Sequence, residues 1–385
     1  MLAPDRQDEI FLHGKKFVEF WENYFTNHKW GDNEGINIYI DFPYCVSNCK
    51  YCMLQPSNMH THRHELPIYE EKVLELMDQM KHLFHLRPVE SVVFGGGTPS
   101  LMPRRMIKKI MDLIPMWDDA PFRKMEIHPR DLTDDYVDFL IKEVRLTNVS
   151  FGIQSFNVES NRDQHRITCN IHTLVDSVKK LQDNGVRVNI DLVALFNGEQ
   201  EKDWEIFKDD LKIIRDIVKP DLFFTQVNYA TESRYYEHSL RLRKELKAFI
   251  NTTDQYIFGE ETYNSLDIND VQRFLDTTYF LIKPKYHEHL TINELYQDPR
   301  LENCIGFGGN INHQVFSLTK EGNTIYSYYD FNSNRFIHRL IKTEIPAVSS
   351  DHFPSVTISS DDPIPTIQVG RYTIPPYTKP TSTSS

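Results

Sequence analysis

From Ile36 to about residue 230, apolar strand-like runs alternate with amphipathic helical patterns, and this alternation narrows the possible fold more than any other feature of the 385-residue chain. Strands are expected near 36–42, 91–95, 123–127, 147–152, 186–193 and 222–227, with helices near 67–86, 102–115, 133–143, 173–183 and 203–218. In the first of these helices Pro67 occupies a tolerated first-turn position. Val73, Leu76, Met77, Met80, Leu83 and Phe84 then recur at helical spacing. Six βα steps in series imply a parallel sheet with right-handed crossovers. An open doubly wound sheet and an incomplete barrel both satisfy that pattern, and both gather ligands at the carboxyl ends of their strands.

The strand ends are unusually rich in chemistry. The first expected strand runs into YIDFPYCVSNCKYC, Tyr39–Cys52, and the second into Gly95-Gly96-Gly97-Thr98-Pro99. Glu126 closes the third, Gln154 the fourth and Asp191 the fifth, so five consecutive strands aim polar or glycine-rich residues at one rim. Cys45, Cys49 and Cys52 form a C-x3-C-x2-C loop. Three thiolates cannot by themselves close a four-coordinate structural zinc site, but they can hold three irons of a cubane cluster and leave the fourth open. A Cys3His zinc knot drawing on His60, His62 or His64 is the competing reading. The preceding strand and the following glycine loop favour the iron–sulfur cluster.

Outside this region the signals are plainer. Residues 7–26 place Phe17, Phe20, Trp21, Tyr24 and Phe25 on one helical stripe, the mark of a helix packed on the main domain. After about 230, helical stretches near 237–250 and 268–283 precede strand candidates at Ile305–Phe316 and Thr324–Tyr329 and a short helix near 333–342. The last 40 residues are rich in Ser, Thr and Pro and read as an extended tail. The expected division is therefore 1–35, an N-terminal helical extension; 36–230, the barrel; 231–345, a smaller α+β extension; and 346–385, the tail.

The net charge of −12 argues against nucleic acid or an anionic membrane as partner, and favours a small-molecule substrate. The N-terminus lacks the apolar core of a secretory signal, and no run approaches the about 20 apolar residues of a membrane span. A cytoplasmic location is expected. Five cysteines, three of them crowded together, suit a reducing compartment and a metal site, leaving Cys169 and Cys304 as ordinary buried thiols.

The cysteine spacing, with Tyr51 just before the third cysteine, resembles the signature of radical S-adenosylmethionine (radical SAM) enzymes. The ordered series YIDFPYCVSNCKYC, VVFGGGTPS, EIHPRDL, VSFGIQSFN with QHRI, and VNIDLVA resembles the branch of oxygen-independent coproporphyrinogen oxidase (HemN) and its relatives. IGFGG at 305–309 extends the likeness more weakly to about residue 340.

The resemblance implies a partial (β/α)6 TIM-like barrel of parallel strands with a smaller C-terminal α+β extension. It implies that Cys45, Cys49 and Cys52 ligate a [4Fe–4S] cluster whose open iron is chelated by S-adenosylmethionine. Tyr51 would lie near the adenine, Tyr39 near the cluster, and Met53 among the cofactor contacts. Gly95, Gly96, Gly97 and Thr98 would present backbone to the methionine amino group, with Glu126 nearby. Gln154 would contact the ribose, Arg166 the carboxylate, and Asp191 the ribose hydroxyls. A one-electron reductant such as flavodoxin or ferredoxin is implied as partner, and some relatives bind a second S-adenosylmethionine.

Four departures bear on the substrate. Leu54 stands where coproporphyrinogen oxidases usually place a further cysteine, and Asp41 replaces a usual histidine. Leu195-Phe196-Asn197 replaces a glycine-leucine-proline, and Ile292-Asn293-Glu294-Leu295-Tyr296-Gln297 lacks the His and Trp of the heme-chaperone segment. A biosynthetic tailoring reaction, such as alkylation or methylation, is therefore expected ahead of porphyrin decarboxylation or a heme-related role.

Overall fold

The computed structural model describes residues 9–32, 34–52, 56–194, 200–228, 256–261, 277–284, 303–342, 367–369 and 372–374. Its centre is six parallel strands, β1 (Ile36–Phe42), β2 (Val89–Gly96), β3 (Phe122–Ile127), β4 (Asn148–Gln154), β5 (Arg187–Ala194) and β6 (Leu222–Asn228), hydrogen-bonded in chain order. Helix α1 (Lys16–Asn27) precedes β1, and the five crossovers carry α2 (Leu66–Met80), α3 (Arg104–Leu113), α4 (Asp134–Asp138), α5 (Val158–Asp163) with α6 (Ile171–Asp183), and α7 (Gln200–Ile213). These strand and helix positions agree with the sequence periodicity to within a few residues.

The sheet continues past both ends of this set without closing. Beyond β6 lie the antiparallel strands β8 (Thr277–Pro284) and β7 (Tyr256–Glu261). On the other side β9 (Cys304–Gly308) runs parallel to β1, followed by the antiparallel β10 (Val315–Leu318), β11 (Asn323–Asp330) and β12 (Arg335–Lys342). The strand Glu9–Phe11 caps that edge by pairing with β12, making 13 strands in all. The architecture is the expected α/β partial barrel.

Alternation along the strands separates two faces. Ile38, Ile40 and Phe42 of β1 are fully buried, and the Phe42 ring meets Tyr69 of α2 edge-on at 6.0 Å, so these residues face the helix layer. Asn37, Tyr39 and Asp41 therefore face the barrel interior. That face is polar: Ser91 donates to Asn37 at 2.7 Å, and Asn189 donates to Ser150 at 2.6 Å. Helix α1 buries Phe17, Trp21 and Phe25 as its stripe predicts, and stacks Phe17 on His338 of β12 at 3.9 Å.

The C-terminal part corrects the sequence reading in several places. Residues 335–342, expected as a short helix near 333–342, form β12, because all eight residues of the segment find antiparallel partners on β11 after a tight turn at Asn334, whose φ is +53°. Within the expected helix 268–283, residues 277–284 form β8, consistent with the β-branched and aromatic run TTYFLI. The single strand expected over 305–316 is broken by Gly308 and Gly309, with φ of +108° and +76°, into β9 and β10. Glu9–Phe11, placed in the helical region, is a strand. Cys304 is buried as expected, whereas Cys169 is only half-buried. The helix expected near 237–250 lies outside the described residues. In the tail, Ile367–Val369 pairs with Tyr372–Ile374 as a hairpin. No helix among the described residues is long and apolar enough to cross a membrane.

Candidate functional site

The cysteine loop leaves the carboxyl end of β1 and is pinned at its base. Tyr44–Cys45 pairs in parallel with Ser57–Asn58, and the Ser57 amide donates to the Pro43 carbonyl at 2.8 Å. Inside the loop the Cys52 amide donates to the Cys49 carbonyl at 3.1 Å, and the Lys50 amide ties the loop to Gln164 at 3.1 Å. Cys45, Cys49 and Cys52 are half-buried and free of disulfides.

Each of the first two sulfurs has polar company. Thr98 Oγ1 lies 2.9 Å from Cys45 Sγ, Ser47 Oγ lies 3.7 Å from Cys49 Sγ, and Arg166 Nη1 donates to Cys49 Sγ at 3.8 Å. Burial nonetheless pushes the Cys45 thiol up to about 12, with Cys52 and Cys49 adding to the shift while Thr98 and Arg166 oppose it. A thiolate in this place needs positive charge beside it, of the kind a bound metal would supply. Among the described residues no three Cys, His, Asp or Glu side chains gather tightly enough to hold one metal ion. The zinc alternative is not supported, because His60 and His64 are exposed and His62 hydrogen-bonds Asn58 and Thr61.

The glycine loop packs directly on the cysteine loop. The Gly97 amide donates to the Phe42 carbonyl at 2.8 Å, and a Cβ on Gly95 would collide with the Tyr39 hydroxyl. Gly96, at φ +102°, leaves the space that Asp41 Oδ1 fills. Asp41 is 1% exposed, and His313 Nε2 approaches its Oδ1 to 3.3 Å. Burial raises the Asp41 carboxyl well above the carboxylate range, and the nearby Glu126 raises it further.

On the opposite side, Arg166 is aimed inward by a left-handed residue, His165, at φ +57°. Its guanidinium donates to Tyr51 Oη at 2.7 Å and to the Gly152 carbonyl. Gln154 also has a positive φ, +68°, at a register shift between β4 and β5, a strained conformation of the kind that clusters at ligand sites. Asp191 accepts from Ser150 at 2.8 Å and from Asn189 at 2.6 Å; burial raises its pKa while Lys124 and these donors oppose the shift.

Thus Tyr39, Cys45, Cys49, Tyr51, Gly95, Gly96, Gly97, Thr98, Gln154 and Arg166 come together at the strand ends, with Glu126 within electrostatic reach of Asp41. Asp191 lies on the interior face of β5, and Cys52 is tied through its amide to Cys49. Met53 and Leu54 lie outside the described residues. The sequence reading missed His128, His313, Ser150 and Asn189. Two-residue alternation from Glu126 to His128, and between Asn189 and Asp191, was the signal that pointed to two of them.

Residues 39–211 match the model of the radical SAM superfamily. Oxygen-independent coproporphyrinogen III oxidase of Pseudomonas aeruginosa is 26% identical over 165 residues, which are 41% of this chain and 35% of that protein. Heme chaperone HemW of Escherichia coli is 30% identical over 139 residues, 34% of this chain and 35% of that protein. The chain thus matches about a third of the length of these relatives. Among solved structures, the coproporphyrinogen III oxidase HemN of Escherichia coli, described as a radical SAM enzyme, superposes with a TM-score of 0.57 at 16% identity, covering 86% of this chain and 77% of that one. That similarity is one of fold. The family match, the relatives and the shared fold together support a radical SAM domain of HemN-like type over residues 39–211, the stretch that holds the cysteine loop and the glycine loop packed against it.

Proposed function

We propose that the protein is a radical SAM enzyme that modifies a small organic molecule in a biosynthetic tailoring step. The observation that carries this reading is the packing of the three-cysteine loop against the Gly97–Thr98 loop and Arg166, through Cys45 and Cys49, at the carboxyl rim of a HemN-like barrel. Cys45, Cys49 and Cys52 would hold a [4Fe–4S] cluster. When loaded with S-adenosylmethionine, such a site would provide the one-electron chemistry for reductive cleavage of the sulfonium.

The chain's own share is binding and orientation. Backbone of Gly95, Gly96 and Gly97 would meet the methionine amino group, with Glu126 as a nearby acceptor, while the missing Cβ atoms let Tyr39, Asp41 and the cysteine loop pack against this turn. Arg166 presents a fork suited to the carboxylate, and Asp191 accepts from ribose hydroxyls beside Gln154. Tyr39 and Tyr51 complete the surroundings. A reductant such as flavodoxin or ferredoxin would deliver the electron, and a second S-adenosylmethionine would serve a methyl or alkyl transfer.

Anaerobic reconstitution followed by dithionite and S-adenosylmethionine is expected to release 5′-deoxyadenosine. A variant with Cys45→Ala, Cys49→Ala and Cys52→Ala is expected to release none above background. Equal release from both proteins would refute the assignment. Porphyrin decarboxylation is the second reading, favoured by the coproporphyrinogen oxidases among the relatives. Loss of carbon dioxide from coproporphyrinogen III under the same conditions would establish it over the tailoring reading.

A further inference from the structure

His128 carries a buried nitrogen that the fold itself does not use. The residue directly follows β3 with an extended backbone, φ −78° and ψ 126°, so strand alternation continues through it. It therefore shares the interior face with Lys124 and Glu126. The ring is 7% exposed, and Nε2 has no hydrogen-bond partner. On the other side of the ring, Nδ1 accepts the Arg130 amide at 3.2 Å. That bond fixes the tautomer: Nδ1 offers its lone pair, so the proton sits on Nε2.

A buried N–H without an acceptor is costly, and such groups call for an explanation. The register of β3 on β4 supplies the position. Glu126 pairs with Ser150 and Ile127 with Phe151, so His128 stands one step further, level with Gly152. The Gly152 carbonyl is the one bonded by Arg166, and a Cβ there would lie 3.0 Å from Arg166 Nη2. A neutral donor and a guanidinium thus share one corner of the rim. Burial, reinforced by the positive charges of Arg166 and Arg130, pushes the imidazole down to about 3, so it stays neutral beside the arginine at working pH.

We propose that His128 is a ligand-binding residue whose Nε2–H donates, alongside Arg166, to the α-carboxylate of S-adenosylmethionine. The assignment rests on the proposed function, in which Arg166 meets that carboxylate. A carboxylate is the acceptor that suits the corner: it offers several lone pairs, takes a fork from Arg166 and leaves one oxygen for a lateral donor.

The competing role is local, since His128 also caps the 3-10 turn Pro129–Asp131 through Nδ1. His128→Asn separates the two, because asparagine caps such a turn with its side-chain oxygen but cannot place a donor where Nε2 was. The experiment measures equilibrium binding of S-adenosylmethionine and of its decarboxylated analogue to anaerobically reconstituted protein, with the thermal midpoint and cluster absorbance as controls. For His128→Asn the expected result is a roughly tenfold or greater loss of affinity for S-adenosylmethionine, the value of a hydrogen bond to a charged acceptor. Affinity for the decarboxylated analogue and both controls should not change. Equal affinity of wild type and His128→Asn for S-adenosylmethionine would reduce the histidine to a cap and overturn the proposal while sparing the proposed function. If the reconstituted wild type binds no S-adenosylmethionine, both fall. His128→Ala, which loses cap and donor together, should weaken binding at least as much and also lower the thermal midpoint.

Discussion

Gly97→Ala is expected to lower iron and sulfide incorporation by more than tenfold while leaving the helical content of the protein intact. A Cβ at this position would lie 2.7 Å from the Tyr44 carbonyl oxygen, 2.9 Å from the Tyr44 carbonyl carbon and 3.0 Å from the Phe42 carbonyl oxygen. All three atoms are backbone, so none can swing aside, and relief requires that the glycine and cysteine loops separate. Separation breaks the Gly97 amide bond to Phe42 and draws Thr98 Oγ1 away from Cys45 Sγ. Cys45 directly follows Tyr44, so the displacement lands on the first ligand. Gly31→Ala is the control, since its new methyl would meet only Glu34 side-chain atoms at 3.5 Å and 3.6 Å. Iron and sulfide assays after anaerobic reconstitution decide the matter, and full incorporation in Gly97→Ala would show that the two loops do not depend on each other.

The cysteine spacing and the glycine triplet were legible because each is local: three cysteines in one loop, and three adjacent residues without Cβ. The parallel core was legible for a related reason. Ile36–Phe42 and Val89–Gly96 are apolar enough, and the intervening helix regular enough, that pattern alone separates them. The sequence RFIHRLIK at 335–342 lacks that clarity. Its apolar residues suit a helix stripe and a strand face alike, and only pairing with Asn323–Asp330, plus the Glu9–Phe11 strand from the far end of the chain, decides for a strand. His128 was passed over for another reason. A histidine before proline reads as a turn, and its site character emerges only when β4 places Gly152 and Arg166 beside it. Likewise nothing in the spacing of Asp41 and His313 shows that the Gly308–Gly309 turn folds one over the other.

Asp41→Asn is expected to stabilise the protein near pH 8 by more than about 1 kcal/mol, with the difference shrinking to nothing as the pH approaches 4. The Asp41 side chain is walled in by Gly96, His313 and the Gly309 amide, with Glu126 as the nearest like charge. Burial, then Glu126, raises its folded pKa well above the unfolded value, and the Gly309 amide only partly opposes them. The folded state therefore keeps a proton that the unfolded chain releases near pH 4, so stability falls as the pH rises from there toward the folded pKa. Asparagine has the same shape and no proton to lose, so its stability curve lacks that fall. His313 contributes with the opposite sign. Burial lowers its pKa to about 4, so its contribution is complete above the ordinary histidine range and is lost as the pH drops through that window. It is present in both proteins and cancels in the comparison. Urea denaturation of each protein between pH 4 and 8 measures the difference, and parallel curves would show that Asp41 is ionised in the folded state. Burial thus pushes both the Asp41 carboxyl and the facing His313 imidazole toward their neutral forms. The hydrogen-bonding groups that Asp41 presents beside Gly96 therefore differ from those of a histidine at position 41, while burial disfavours any added charge next to the cysteine loop.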